Sequence, residues 1–210
     1  GNAWNYSLYV PHQPKKMITL MGGDKKFIGH LDSLFEMELP AKYYEKTEDI
    51  MKEGIIGNYV HGNEPSHHVS FLYNYTSEPW KTQEKTRMIL PNQYKAKVDG
   101  LSGNDDCGQM SAWYVFTALG FYPVCPGSNE YALTSPLVID VVVHLENGAS
   151  FSIKTKNQSD KNRYIQKISW NGLPLKTPFL SYTDISIGGE LFIELGPKPN
   201  KNCFKLIDNH

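Results

Sequence analysis

Covalent cross-links and metal-binding thiols are scarce in this sequence. Three cysteines, Cys107, Cys125 and Cys203, are scattered through 210 residues with no CxxC spacing. That excludes an even-numbered disulfide framework and a cysteine-based structural zinc site. No apolar run approaches the roughly 20 residues that a membrane-crossing helix needs. Charge of one sign is also missing: 21 basic residues face 22 acidic ones, for a net charge of -1. Without a basic stripe there is no footprint for nucleic acid or an anionic membrane surface. The chain has no fixed-period repeat and no low-complexity segment. It opens on Gly1-Asn2-Ala3-Trp4 with neither an initiator Met nor a signal-peptide pattern, and so reads as a piece of something longer. What is present is a 40% hydrophobic, 12% aromatic composition, sufficient for a sizeable core.

The pattern changes character near residue 125. Before it, residues 14–22 and 24–36 read as two helices parted by Gly22-Gly23, the second with Phe27, Leu31, Leu34 and Phe35 on one face. Helical pattern returns over 66–74 and 79–90. In the stretch VDGLSGNDDCGQMSAWYVFTALG, Asp106 with Gln109 three residues on reads as an N-cap and capping box, so a helix is expected from Cys107 to Gly120. Met110, Trp113, Val115, Phe116 and Leu119 cover more than one side of it, which predicts burial between neighbours. After Pro126 come short Val/Ile-rich segments, among them DISIG and ELFIEL. Asn147-Gly148 and Asn171-Gly172 are hairpin turns, and Gly188-Gly189 is a weaker signal. The expected fold is α+β, with a helical region over 1–125 and an antiparallel β section over 126–210.

Four groups of residues have chemical potential. Asp105 and Asp106 stand at a helix start, where backbone N–H groups keep a carboxylate ionised and aimed; this suits a general base, a metal ligand or simply a cap. The run His61-Gly62-Asn63-Glu64-Pro65-Ser66-His67-His68 concentrates polar side chains on one loop. It lacks HExxH and zinc spacing, and the oxygens of Asn63 and Glu64 suit a hard cation such as Ca2+ better than zinc. Trp4, Tyr6 and Tyr59, in loops with polar neighbours, could stack on a sugar ring. Three glycosylation sequons begin at Asn5, Asn74 and Asn157.

Two long motifs, HGNEPSHHVSFLYNY and GLSGNDDCGQMSAWYVFTALGFYPVCPG, together with the opening GNAWNYSLYVPHQ, resemble the C-terminal part of the family 92 glycoside hydrolases. The resemblance implies a calcium-dependent, inverting α-mannosidase active in glycan breakdown on mannose-containing glycans. It implies an N-terminal β-sandwich domain followed by an (α/α)6 barrel, of which this chain would supply the second half plus the terminal β section. By the same resemblance Asp106 is the general base and Asp105 its helper or a cap residue. Asn63 and Glu64 are calcium ligands, and Trp4, His61, His67 and His68 contact substrate. Relatives often carry an acid where Asn104 and Gly62 stand, which leaves the number of base carboxylates and the linkage preference (α-1,2 or related) open. The general acid is a Glu directly before the GNAW-like motif, outside the chain, so the fragment alone is expected to be inactive. Family habit implies a periplasmic or secreted enzyme. The competing reading is a non-catalytic carbohydrate-binding module.

Overall fold

The computed structural model describes residues 2–43, 45 and 52–204. Among them the helices are α1 (Ala3–Tyr6), α2 (Pro14–Leu20), α3 (Asp24–Glu36), α4 (Trp80–Gln93), α5 (Gln109–Leu119) and α6 (Tyr182–Ile187). Asn2 caps α1 by accepting the Trp4 N–H at 3.0 Å. Pro14 opens α2 as its first residue, where a missing N–H costs nothing. Gly22 and Gly23, both left-handed, then reverse the chain into α3. α3 buries Phe27, Ile28, Leu31, Leu34 and Phe35, a single stripe at helical spacing.

Further along the chain, Val69–Tyr75 is a 3-10 helix rather than the expected α-helix, and six of its seven residues are buried. Its buried Asn74 donates to the carbonyls of Leu133 and Pro178 at 2.9 and 3.1 Å, tying it to the β section. α4 does the same with a polar inner face. Gln83 accepts the Ile165 N–H at 2.8 Å, and Arg87 donates to the carbonyls of Pro136 and Ser159 at 3.0 and 2.7 Å. Such bonds satisfy strand-end and loop groups that burial would otherwise leave unpaired.

The C-terminal part forms two sheets. β3 (Phe121–Tyr122), β4 (Glu130–Leu133) and β9 (Phe179–Ser181) pair antiparallel. The larger sheet has the order β5-β6-β10-β7-β8, built from Asp140–His144, Ser150–Lys156, Gly189–Gly196, Tyr164–Trp170 and Leu173–Pro174. Both Asn-Gly pairs turn hairpins as predicted, β5 to β6 and β7 to β8. β10, however, runs parallel to β6, so the section is mixed and not purely antiparallel. The segment DISIG also departs from expectation. It is not a strand but part of α6, because Ser181 accepts the Asp184 N–H at 2.9 Å and caps a helix start. Gly188-Gly189 consequently leads out of a helix and makes no hairpin. The inner face of the sheet packs Phe151, Ile153, Ile165, Ile168, Leu191, Ile193 and Leu195 into one core. A second core joins α2, α3 and the 3-10 helix around Trp113, and Phe116 packs against both.

Two short strands, β1 (Ile55–Ile56) and β2 (Tyr59–Val60), pair just ahead of the histidine-rich loop. The three cysteines are free thiols. Two of the sequons are closed to modification, since Asn5 and Asn74 are buried and hydrogen-bonded, whereas Asn157 is exposed.

Candidate active site

Two loops distant in sequence meet here through glycines. A Cβ on Gly62 would lie 2.6 Å from the Ser102 carbonyl oxygen, and one on Gly103 would lie 2.6 Å from the Gly62 Cα and nearer still to its carbonyl. The two backbones are therefore in direct contact, which no side chain at either position would permit. This also accounts for Gly62 physically: an acid there would displace the neighbouring loop.

The contact brings Glu64 beside Asp106. Glu64 stands in a short 3-10 turn, Glu64–Ser66, whose first backbone cap is Asn63; the Asn63 side chain makes no capping bond. Burial above all, opposed by a backbone hydrogen bond and reinforced by the hydrogen-bonding approach and negative charge of Asp106, holds the Glu64 carboxyl above the usual carboxylate range. One of its oxygens, Oε1, is sealed from solvent with no partner among the described residues. Asp106 itself is exposed.

The expected capping box is absent. Asp106, Cys107 and Gly108 have φ of 42°, 58° and 88°, a left-handed run that delays the helix to Gln109. The helix start is held by Asp105, whose Oδ1 accepts the Ser111 N–H and whose Oδ2 accepts the Ser111 hydroxyl, each at 2.9 Å. Gln109, freed from capping, donates its amide N–H groups to His67 Nδ1 and the Tyr122 hydroxyl, both at 3.1 Å. Nor is α5 buried all round in this chain: Met110, Trp113 and Thr117 are covered, while Tyr114 and Val115 are exposed.

The three histidines lie behind the loop and not on its surface. His61 is fully buried. Tyr94 donates its hydroxyl proton to the Met110 carbonyl, so at 2.8 Å it accepts from His61 Nε2, and His61 Nδ1 accepts from Tyr59 at 2.8 Å. Both ring nitrogens are spent on protein, which leaves none for a sugar. His67 donates from Nε2 to the His61 carbonyl at 2.9 Å, and its own carbonyl accepts the Trp113 indole N–H at 2.9 Å. His68 donates to the Leu8 carbonyl at 2.8 Å. Tyr59, offered by its loop setting as a stacking platform, is also buried, packed on Phe35.

Trp4 is half-buried and stacks on His30 at 4.5 Å and 13°. It is tied to the Glu64 turn through Asn5, whose Oδ1 accepts from the Val60 N–H and the Ser66 hydroxyl at 3.2 and 3.1 Å. Asn5, Tyr94, Gln109 and Tyr122 were not legible as site residues, because each acts on a partner remote in sequence. Among the described residues no three His, Cys, Asp or Glu side chains converge as a metal-binding group.

Burial makes acid costly for this arrangement. It lowers the pKa of His61 and His68 and brings that of His67 down to about 4. The unfolded chain, with a pKa near 6.5, takes up protons first, so stability is complete above that value and is lost as pH falls toward 4. For His67 alone the ceiling is about 3 kcal/mol. The urea midpoint is expected to drop between pH 7 and pH 4.5, and less steeply in a His67→Gln variant; parallel curves would refute the assignment.

The sequence from Gly1 onward matches the glycosyl hydrolase family 92 catalytic domain over residues 1–197. The chain belongs to that family. Among solved family 92 structures, it is 41% identical to an α-mannosidase of Bacteroides thetaiotaomicron with a TM-score of 0.88, covering 98% of this chain and 26% of that one. An inverting mannosidase of the same organism is 35% identical with a TM-score of 0.84, over 99% of this chain and 29% of that one. A curated relative, an uncharacterized secreted glycosidase of Arthroderma benhamiae, is 29% identical over 92% of this chain and 23% of its own length. This family 92 chain thus spans only about a quarter of the relatives it matches.

Proposed function

We propose that this chain forms one wall of the active site of a glycoside hydrolase that releases terminal mannose from α-mannosides with inversion. The observation that carries the reading is the exposed Asp106 carboxylate, held in a left-handed turn against Glu64. The resemblance between the chain and solved α-mannosidases, one of them in complex with mannoimidazole, supplies the substrate class.

In this mechanism Asp106 accepts a proton from a water as the water attacks the anomeric carbon. The glycosidic C–O bond breaks on the opposite face, and the leaving oxygen takes a proton from a carboxylic acid. Inversion requires the two carboxyls roughly 6.5–9.5 Å apart, with the water between them. The acid belongs to protein outside this chain, by resemblance a Glu preceding the GNAW motif. The chain alone is accordingly proposed to be inactive. Its helices would form part of an (α/α)6 toroid, with the exposed Tyr114 and Val115 of α5 facing the missing helices. An N-terminal β-sandwich would close the pocket. Like the Arthroderma relative, the whole protein is proposed to be secreted; among the described residues no helix is long and apolar enough to cross a membrane.

The residues present fit a calcium ion in part. Glu64 Oε1 is buried without a partner among the described residues, beside a second carboxylate, and the Asn63 amide is uncommitted to capping. A cation relieves both conditions, and oxygen donors suit a hard one. Calcium would orient the sugar hydroxyls and spread charge in the transition state. Since it takes six to eight oxygens, Asn63 and Glu64 would share the ion with water, sugar and residues outside this chain. In the full-length protein, a chelator is expected to abolish hydrolysis of an aryl α-mannoside and calcium to restore it. Glu64→Gln should raise the calcium concentration needed at least tenfold, about 1.4 kcal/mol. Activity indifferent to chelator would remove the metal from the scheme.

A further inference from the structure

The two adjacent aspartates are bound in different ways, and the difference separates their roles. The Asp105 carboxylate is occupied on both oxygens by one residue, Ser111, through the backbone N–H and the hydroxyl at 2.9 Å each. Among the described residues Asp106 accepts no such pair, and it lies against Glu64 instead. Between the two ends of this clasp the chain makes three consecutive left-handed residues, two of them not glycine. L-residues adopt that conformation at a cost, and it persists only where surrounding bonds enforce it. Those bonds are few. Gln109 N–H reaches the Asp106 carbonyl at 3.2 Å and Met110 N–H reaches the Asp105 carbonyl at 3.3 Å, both long, and the one short backbone bond, Ala112 N–H to the Gly108 carbonyl at 2.8 Å, holds only the end of the run that adjoins the helix. The short side-chain contacts at this helix start, and the paired ones, are those of Asp105 with Ser111.

We propose that Asp105 is a positioning residue and not a second base: with Ser111 it clasps the first turn of α5, holds the left-handed run in shape, and so fixes where the Asp106 carboxylate stands. The proposal rests on the reading of Asp106 as general base. It requires the shape of the Asp105 side chain and not its charge. An asparagine can reproduce both bonds, with Oδ1 accepting the Ser111 N–H and Nδ2 donating to the Ser111 hydroxyl, whose proton simply rotates away. Alanine at either position cannot.

The test compares Asp105→Ala, Asp105→Asn, Ser111→Ala and Asp106→Asn in the full-length protein, by kcat and KM on an aryl α-mannoside. Asp105→Ala should lower kcat about 10- to 100-fold with KM changed less than about threefold, because displacing a reacting group by about 1 Å costs on that scale. Ser111→Ala should lower it less. Combining the two alanines should be no worse than Asp105→Ala alone, since they break one device. Asp105→Asn should recover most of the loss, to within about fivefold of wild type. If Asp105→Asn falls as far as Asp106→Asn, Asp105 acts through its charge and the proposal fails; wild-type kcat in Asp105→Ala also overturns it.

A second measurement is independent of turnover. Cys107 is an exposed thiol inside the left-handed run. Its alkylation rate, followed by mass spectrometry of the peptide that contains it, should change at least threefold in Asp105→Ala and stay near wild type in Asp105→Asn. Should Asp106→Asn prove fully active while the labelling still follows this order, the general-base reading falls and the clasp stands. An unchanged labelling rate in Asp105→Ala sinks the clasp itself.

Discussion

Replacing Asp106 by asparagine is expected to lower kcat of the full-length enzyme by about 10²–10⁴-fold, the range in which a positioned general base contributes. KM should change little, because the amide keeps the shape of the carboxylate and loses only its ability to take a proton. Stability should move the other way. Asp106 sits at φ 42° and presses a negative charge toward the carboxyl of Glu64. Asparagine tolerates the left-handed region as well as aspartate does and carries no charge. The melting temperature of Asp106→Asn should therefore equal or exceed that of wild type, and Glu64 should titrate at lower pH than in the parent. A loss of activity accompanied by a lower melting temperature would point to a structural role for Asp106. A near-normal rate would remove it from the chemistry.

Gly103→Ala should damage both stability and turnover. The added methyl would meet the backbone of Gly62, which cannot rotate aside as the end of a flexible side chain can. Overpacking of this kind costs about 1–3 kcal/mol. The strain can be relieved only by parting the two loops, which moves Glu64 from Asp106; a shift of about 1 Å is expected to lower kcat/KM on the order of 10²-fold. Gly29→Ala provides the control. It lies within α3 with nothing near its added Cβ, so it should be neutral or stabilising by up to about 1 kcal/mol. Equal behaviour of the two variants in thermal melts and kinetics would mean that the loop contact has slack.

Much of the helical part was legible because its signals are local. The glycine pair Gly22-Gly23 and the apolar stripe from Phe27 to Phe35 delimit α3 without reference to anything else. The two Asn-Gly hairpins are likewise properties of a few consecutive residues. Errors arose where two local signals compete. DISIG has the composition of a strand, yet the serine and aspartate at 181 and 184 make a helix cap, and the cap prevailed. The spacing from Asp106 to Gln109 matches a capping box, but the partners available to Gln109 in the fold, His67 and Tyr122, were the better ones. The histidines show the same limit. A polar loop rich in His reads as a surface, and only the tyrosine hydroxyls of Tyr59 and Tyr94 reveal that His61 belongs to the core.

By itself the sequence determined which side chains are available for chemistry: adjacent aspartates ahead of an aromatic helix, and an Asn-Glu pair in a glycine-bounded loop. It also determined most of the elements that carry them, since capping and periodicity act over a handful of neighbouring residues. Only the tertiary structure decided which carboxylates face each other and which are merely tethered. That choice depends on backbone contact between Gly62 and Gly103 and on three left-handed residues in succession, and neither leaves a periodic trace in the chain.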